Sequence, residues 1–284
     1  MAQTGFWGTA APTDPVAWGK RLLDIAIRRH KPVAVYGMFS GGHDSLCATH
    51  FAAQHPAFTA AVHINTGIGV SETRDFVRKT ASDQGWPLIE IRAKEDCGRD
   101  YDQMVREHGF PGPFAHTFMY RHLKERALRK LVRDEKMKRM DRVMLVTGVR
   151  KSESVRRMGT VQSIKRQGAM VWVAPLAWFD GTHKEKYLLA HGLPRNEVVD
   201  QLHMSGECLC GAFAKPGELE WLEFCGYTDV VSRIRRLESE AKELGVPCVW
   251  GQAPKDEGVC ADTASFLEDA PGFLCVGCSN VGVE

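Results

Sequence analysis

Six consecutive residues, Ser40-Gly41-Gly42-His43-Asp44-Ser45, have the make-up of a phosphate cradle. Glycines let the backbone approach an anion, so that successive N–H groups can point at it. Ser40 and Ser45 add hydroxyl donors, and a helix beginning here would add its positive N-terminal end. The string lacks the Gly-Lys-Ser/Thr ending of a Walker loop, and it is not Gly-x-Gly-x-x-Gly. Asp44 could orient Mg²⁺ or a phosphate-bound water, or simply cap the helix. A second string runs Thr147-Gly148-Val149-Arg150-Lys151-Ser152-Glu153-Ser154-Val155-Arg156. Gly148 lets the chain turn, and Arg150, Lys151, Arg156 and Arg157 supply cations suited to a developing polyphosphate charge. Cysteines form the third group. Cys47 and Cys97 stand alone, and the other seven of nine fall in the last 77 residues.

The elements that would carry these groups can be read from hydrophobic pattern. Pro15 to Arg29 has the spacing of an amphipathic helix after a loose arm. Val33 to Phe39 is a short apolar strand ending in the glycine turn, and Asp44 to Ala53 is the following helix. A second strand, Ala60 to Asn65, ends at Thr66-Gly67, and a helix starts at Ser71-Glu72-Thr73. Leu88–Arg92, Arg142–Thr147 and Ala169–Val173 are further strands, with a basic helix over Phe118–Lys138. Strands alternating with helices predict a doubly wound parallel α/β sheet. Beyond about residue 180 the rhythm fades, Gly, Pro and Cys rise, and one helix, Val230–Leu244, is expected. The predicted division is an N-terminal arm and helix (1–30), a nucleotide-binding domain (31–180) and a smaller cysteine-rich C-terminal appendage (181–284).

Apolar residues at 44% and charged residues at 25% argue against disorder and coiled coil. No apolar run approaches about 18 residues, so a membrane span is not expected. The N-terminal residues lack the pattern of a secretory signal, which points to a cytoplasmic, reducing location. There cysteines serve metal binding or thiol chemistry rather than disulfides, with buried apolar cysteines as the alternative. Net charge is only +2, yet residues 121–166 hold 16 Lys and Arg against 5 Asp and Glu. Such a stretch suits a polyanionic partner, although a solvated helix face would have the same composition.

The loop SGGHDS resembles the SGGxDS loop of the PP-loop ATP pyrophosphatase superfamily. Asn65-Thr66-Gly67 with Ser71-Glu72-Thr73 and Phe76-Val77 resembles the DTG…PET…FV stretch of its PAPS reductase branch, Asn65 replacing the usual Asp. Thr147–Arg156 resembles the GxRxxES…R motif of that branch, and Pro175-Leu176-Ala177-Trp178 its P-(I/L)-xx-W element. The resemblance spans residues 33–180 and implies an adenine nucleotide alpha hydrolase-like, PAPS reductase-like fold. It implies ATP, with Mg²⁺, bound by Ser40, Gly41, Gly42, His43, Asp44, Ser45, Asn65, Thr66, Gly67, Gly148 and Arg150. Asp44, Ser45, Arg150 and Arg156 would carry catalysis.

The Cys-x-x-His ending of the thiol-dependent PAPS reductases is missing, because Gly206-Glu207-Cys208 continues as Leu209-Cys210-Gly211. The paired CC…CxxC pattern of iron–sulfur APS reductases is missing too. The cysteine-rich tail is instead similar to that of the DndC and SspD ATP pyrophosphatases of DNA phosphorothioation. That resemblance implies a [4Fe–4S] cluster or Zn²⁺ on four of Cys208, Cys210, Cys225, Cys275 and Cys278. It also implies DNA, or less readily tRNA, docked on the basic 121–166 stretch, and a cysteine desulfurase and other modification-complex subunits as partners. Two other readings stay open: a sulfonucleotide reductase, and a non-catalytic nucleotide-binding subunit.

Overall fold

A computed structural model describes residues 11–153, 162–246 and 249–251. Helix α1 (Pro15–His30) starts where Asp14 accepts the N–H groups of Val16 and Ala17, each at 3.0 Å. Pro15 takes the first helical position, where its missing N–H costs nothing. The chain then alternates as β1 (Ala34–Met38), α2 (His43–Ala53), β2 (Phe58–Asn65), α3 (Ser71–Asp83) and β3 (Leu88–Arg92). Two short helices, α4 (Ala93–Cys97) and α5 (Tyr101–His108), precede a long helical run. That run comprises α6 (His116–Tyr120), a π turn (Arg121–Glu125) and α7 (Arg126–Glu135). Strands β4 (Val143–Val146), β5 (Ile164–Gln167) and β6 (Met170–Val173) complete the sheet. Helices α8 (Gly181–Ala190), α9 (Glu197–Leu202), α10 (Glu218–Phe224) and α11 (Thr228–Glu243) follow.

The six strands lie in the order β3-β2-β1-β4-β6-β5, parallel except for β5 against β6. β1, β4 and β6 are buried along their whole length, as a parallel sheet covered on both faces requires. Leu22, Leu46, Phe51, Val77 and Tyr187 pack on one face, and Tyr36, Leu128, Leu131 and Trp172 on the other. The doubly wound α/β reading therefore holds. Strand order turns at β1, with β2 on one side and β4 on the other. Crevices for ligands open at such a switch point, beyond the carboxyl ends of the strands.

Three details differ from the expectation. β5 is an added edge strand whose Lys165, Arg166 and Gln167 are exposed, so it carries no apolar alternation. The expected Phe118–Lys138 helix is interrupted by the π turn, which directs Leu123 and Lys124 inward, 1% and 8% exposed. Such turns recur at functional sites. Among the described residues, the region past 180 contains four helices rather than one. Its Leu209, Cys210 and Ile234 share a core with Ile68, Tyr101 and Leu123. None of the described helices is long and apolar enough to cross a membrane.

Candidate functional site

The loop after β1 closes tightly on itself. Ser45 Oγ donates to the Gly42 carbonyl at 2.7 Å and accepts the Ser40 N–H at 3.2 Å. Ser40 Oγ lies 3.2 Å from the same oxygen. Gly41 has φ +85°, and a Cβ there would stand 2.5 Å from the Thr73 methyl. Both conformation and space therefore demand glycine. α2 begins at His43 with no side-chain cap, so its first N–H groups remain turned toward the loop.

The turn after β4 meets this loop from the other side of the crevice. A Cβ on Gly148 would lie 2.4 Å from the Asp44 carbonyl carbon and oxygen, so only glycine permits the approach. Arg150 then reaches Asp44 with two nitrogens, Nε at 2.7 Å and Nη2 at 3.0 Å. The Nη2 contact is a charge-assisted hydrogen bond and the Nε contact an ion pair, and together they hold the guanidinium at the mouth of the loop. Arg150 also donates to Ser152 Oγ at 3.2 Å, and that hydroxyl donates to the Phe179 carbonyl. Lys151 takes another direction, 3.6 Å over the ring of Trp178. Burial draws its pKa downward. Arg156 and Arg157 lie outside the described residues.

Behind the loop a cleft is lined by Met38, Phe39, Val62, Ile64 and Val149, with Ser40, Ser45 and Gly148 at its polar end. Lys124 and Glu207 join the same lining. An apolar slot ending in a ring of donors suits a flat heterocycle attached to phosphates.

The other sequence-selected residues are placed as follows. His43 is 3% exposed, and its Nε2 accepts the Asn196 N–H at 3.1 Å. Burial pulls its pKa below the usual 6.5, with Arg195 adding to the effect. Asn65 accepts the Gly67 N–H at 2.9 Å and donates to Glu90 at 3.0 Å, which organises the turn after β2. Thr66 is buried against Glu207. Cys210 is buried, while Cys208 and Cys225 are half-buried beside the same core. Cys275 and Cys278 lie outside the described residues. Among the described residues no group of three or more His, Cys, Asp or Glu is arranged to hold a metal ion.

Three contributors carry no local signal of their role. Asn196 donates to the Gly41 carbonyl at 2.9 Å and caps α9, bracing the loop from a distant segment. The Asn before an acidic helical turn marks it as a cap, but not as a loop partner. Lys124 appears in sequence only as one more cation of a basic helix. Glu207 reaches back 141 residues to Thr66, through topology alone.

No curated protein matches the chain. Among solved structures, a phosphoadenylyl-sulfate (PAPS) reductase from Candida auris in a phosphate complex is similar at 18% identity. The match covers 64% of this chain and 83% of that one, with a TM-score of 0.48. An NH3-dependent NAD synthetase from Campylobacter jejuni shares 12% identity over 87% of this chain and all of its own, TM-score 0.46. The U34-tRNA thiolase NcsA from Methanococcus maripaludis, with its [4Fe–4S] cluster, shares 14% over 81% and 76%, TM-score 0.40. A family model matches residues 34–281, a span that includes the loop, the Gly148 turn and the cysteine segment, and on that match the chain belongs to the phosphoadenosine phosphosulfate reductase domain family.

Proposed function

We propose that this chain is an ATP pyrophosphatase that activates a substrate phosphate for sulfur insertion, in the manner of the DndC and SspD proteins of DNA phosphorothioation. The carrying observation is the Ser40–Ser45 loop at the start of α2, with Arg150 held across its mouth by Asp44. A substrate phosphate oxygen attacks the α-phosphorus of ATP, and pyrophosphate leaves with the electron pair of the broken bond. A sulfur donor then displaces AMP. Such transfers need positioning and charge stabilisation more than a protein nucleophile. Arg150 and the loop donors supply both. Mg²⁺ would be held mainly by the phosphates and water, since Asp44 already pairs with Arg150.

Cys208, Cys210 and Cys225, with Cys275 and Cys278, would supply the thiolates for a [4Fe–4S] cluster or Zn²⁺. Iron and zinc analysis of anaerobically purified protein tests that part, and a metal-free protein would remove it. DNA would dock along basic residues of 121–166. Several of these are already paired on the helix, Arg129 with Glu125 and Lys130 with Asp134, each at 2.6 Å. A cysteine desulfurase would be the supplying partner in the cytoplasm.

A second reading, sulfonucleotide reduction, draws on the family description and on Cys208, which follows the cleft residue Glu207. The deciding experiment incubates the protein with Mg²⁺ and α-labelled ATP. AMP and pyrophosphate, lost in Ser45→Ala, support the pyrophosphatase. ADP or no product, with sulfite released from PAPS and a thiol, replaces it with the reductase.

A further inference from the structure

Parallel pairing in the order β1-β4-β6 brings three chain segments together at the amino ends of these strands. They are the end of α1 with the residues up to Val33, the loop 136–142 before β4, and the hairpin end 166–169 between β5 and β6. Val33 N donates to Arg142 O at 2.8 Å, and Val143 N to Ala169 O at 3.0 Å. Each segment carries cations. Arg29, Lys31, Lys138, Arg139 and Arg166 are exposed, and Arg142 is half-buried. Among the described residues none of these six forms an ion pair. Arg142 donates to the Met140 and Asp141 carbonyls, and Arg166 to that of Gly168. The loop's own carboxylate, Asp141, accepts the Met137 and Lys138 N–H groups at 3.0 and 2.7 Å. On the preceding helix the cations are spent differently, Arg129 on Glu125 and Lys130 on Asp134. His30 reports the crowding: burial lowers its pKa first, then Arg29, Arg166 and Arg142, one cation from each segment.

A helix dipole accounts for cations in the last turn of α1. It does not account for Lys138, Arg139 and Arg142 in a loop, or for Arg166 on a strand. Like charges gathered in this way repel one another, and a polyanion relieves the repulsion. Spread over three segments rather than drawn into one pocket, they match a ligand whose charge repeats along its length. We propose that this end of the sheet is an anchoring surface for the phosphate backbone of a nucleic acid, at the pole opposite the cleft. The inference rests on the nucleic-acid part of the function proposed above and gives that docking a place. At about 3.3 Å per residue, the run from Val33 to Ser40 spans about 20–25 Å. A duplex of about 30 base pairs, at about 3.4 Å each, is long enough to reach from one pole to the other.

Fluorescence anisotropy tests it with a labelled DNA duplex of about 30 base pairs in about 50 to 200 mM salt. Lys31→Gln/Arg139→Gln/Arg166→Gln removes one cation from each segment. Lys79→Gln/Arg129→Gln/Lys130→Gln removes the same charge from paired residues. The first variant weakens binding about tenfold or more and lowers the slope of log affinity against log salt by about 2 to 3. The loss is alike for two unrelated duplex sequences, because backbone contacts read no bases. Its melting curve and its ATP affinity stay at wild type, since the three side chains are exposed and remote from the cleft. No loss in the first variant, or an equal loss in the second, overturns the anchoring surface alone. Poly-L-glutamate bound by the wild type more tightly than the duplex gives the surface to an acidic protein instead and overturns it too. A duplex left unbound by the wild type overturns the nucleic-acid reading and this surface with it.

Discussion

On one side of the cleft the Ser40–Ser45 loop meets the turn after β4, where Gly148 lies against the Asp44 backbone and Arg150 grips the Asp44 side chain. On the other side Thr66–Val70 meets Ser205–Leu209, a partner 141 residues further along the chain at its central contact. The first wall contributes Ser40, Ser45 and Gly148 to the cleft and holds the Arg150 guanidinium on Asp44 beside it. The second is joined by two backbone hydrogen bonds, by Thr66 and Thr73 bonded to Glu207 and Ser205, and by a buried His63–Glu207 pair, so most of its polar groups face one another. The difference suggests a division of labour in which one wall stabilises charge and the other fixes the geometry in which it does so. Substitutions should separate the two, the first by turnover and the second by stability and order.

The largest effect is expected for Arg150→Ala. Removing a fixed cation from a developing polyphosphate charge costs about 10²- to 10³-fold in turnover, as loss of one oxyanion donor does elsewhere. Asp44→Asn keeps a hydrogen bond but loses the ionic partner, and a loss of about tenfold is expected from misaligned Arg150. Steady-state ATP turnover with melting curves checks both. Wild-type turnover in Arg150→Ala would leave the first wall without its assigned chemistry.

Next come the two glycines at the closest approaches. A Cβ at Gly148 would lie 2.4 Å from backbone atoms of Asp44, and one at Gly69 would lie 2.5 Å from the Glu207 carbonyl oxygen. Each alanine should cost about 1–3 kcal/mol in stability, since backbone must move. At this chain length that is a fall in Tm of about 2–4 °C per kcal/mol. The comparison sharpens in the second readout. Gly148→Ala should abolish ATP binding, whereas Gly69→Ala should leave weakened binding and faster alkylation of Cys208. Equal effects of both on binding would merge the two walls into one unit.

What could be read from sequence follows the same division. Each of the two strings of the first wall is contiguous, and the glycines and hydroxyls of Ser40–Ser45 stand between an apolar strand and a helix, so type and spacing reveal them. The sheet is legible for a related reason, since β1, β4 and β6 are buried apolar runs. Edge strand β5 is not, because exposed Lys165, Arg166 and Gln167 carry no pattern. The π turn at Arg121–Glu125 is invisible, as nothing in Arg-His-Leu-Lys-Glu departs from ordinary helical composition. Glu207 and Asn196 acquire their roles only when the topology brings α8, α9 and the cysteine segment over the loop. The resemblance of the cysteine tail implies a ligand set whose last members, Cys275 and Cys278, fall outside the described residues.

The smallest expected effect concerns acid. His43 Nε2 accepts the Asn196 N–H, and its pKa is drawn below 6.5 by burial and by Arg195, with Asp200 opposing. The unfolded chain therefore takes up a proton near 6.5 while the folded chain does not, so stability falls as pH drops below that value. The separation is worth about 1.4 kcal/mol per pKa unit. His50, brought down to about 4 mainly by burial, adds a loss of the same sign. His63 has the opposite shift, and its contribution is retained on the acid side. The walls tell the two histidines apart. His43 touches the segment that braces Gly41, whereas His50 bonds Tyr187 at 2.9 Å on the α2–α8 contact. His43→Gln should flatten both the acid loss of stability and the acid loss of ATP affinity, because a glutamine oxygen can accept the Asn196 N–H at any pH. His50→Gln should flatten only the first. Unfolding and ATP titrations at about pH 7.5 and about pH 5.5 decide it. An affinity profile unchanged in His43→Gln would detach Asn196 from the phosphate loop.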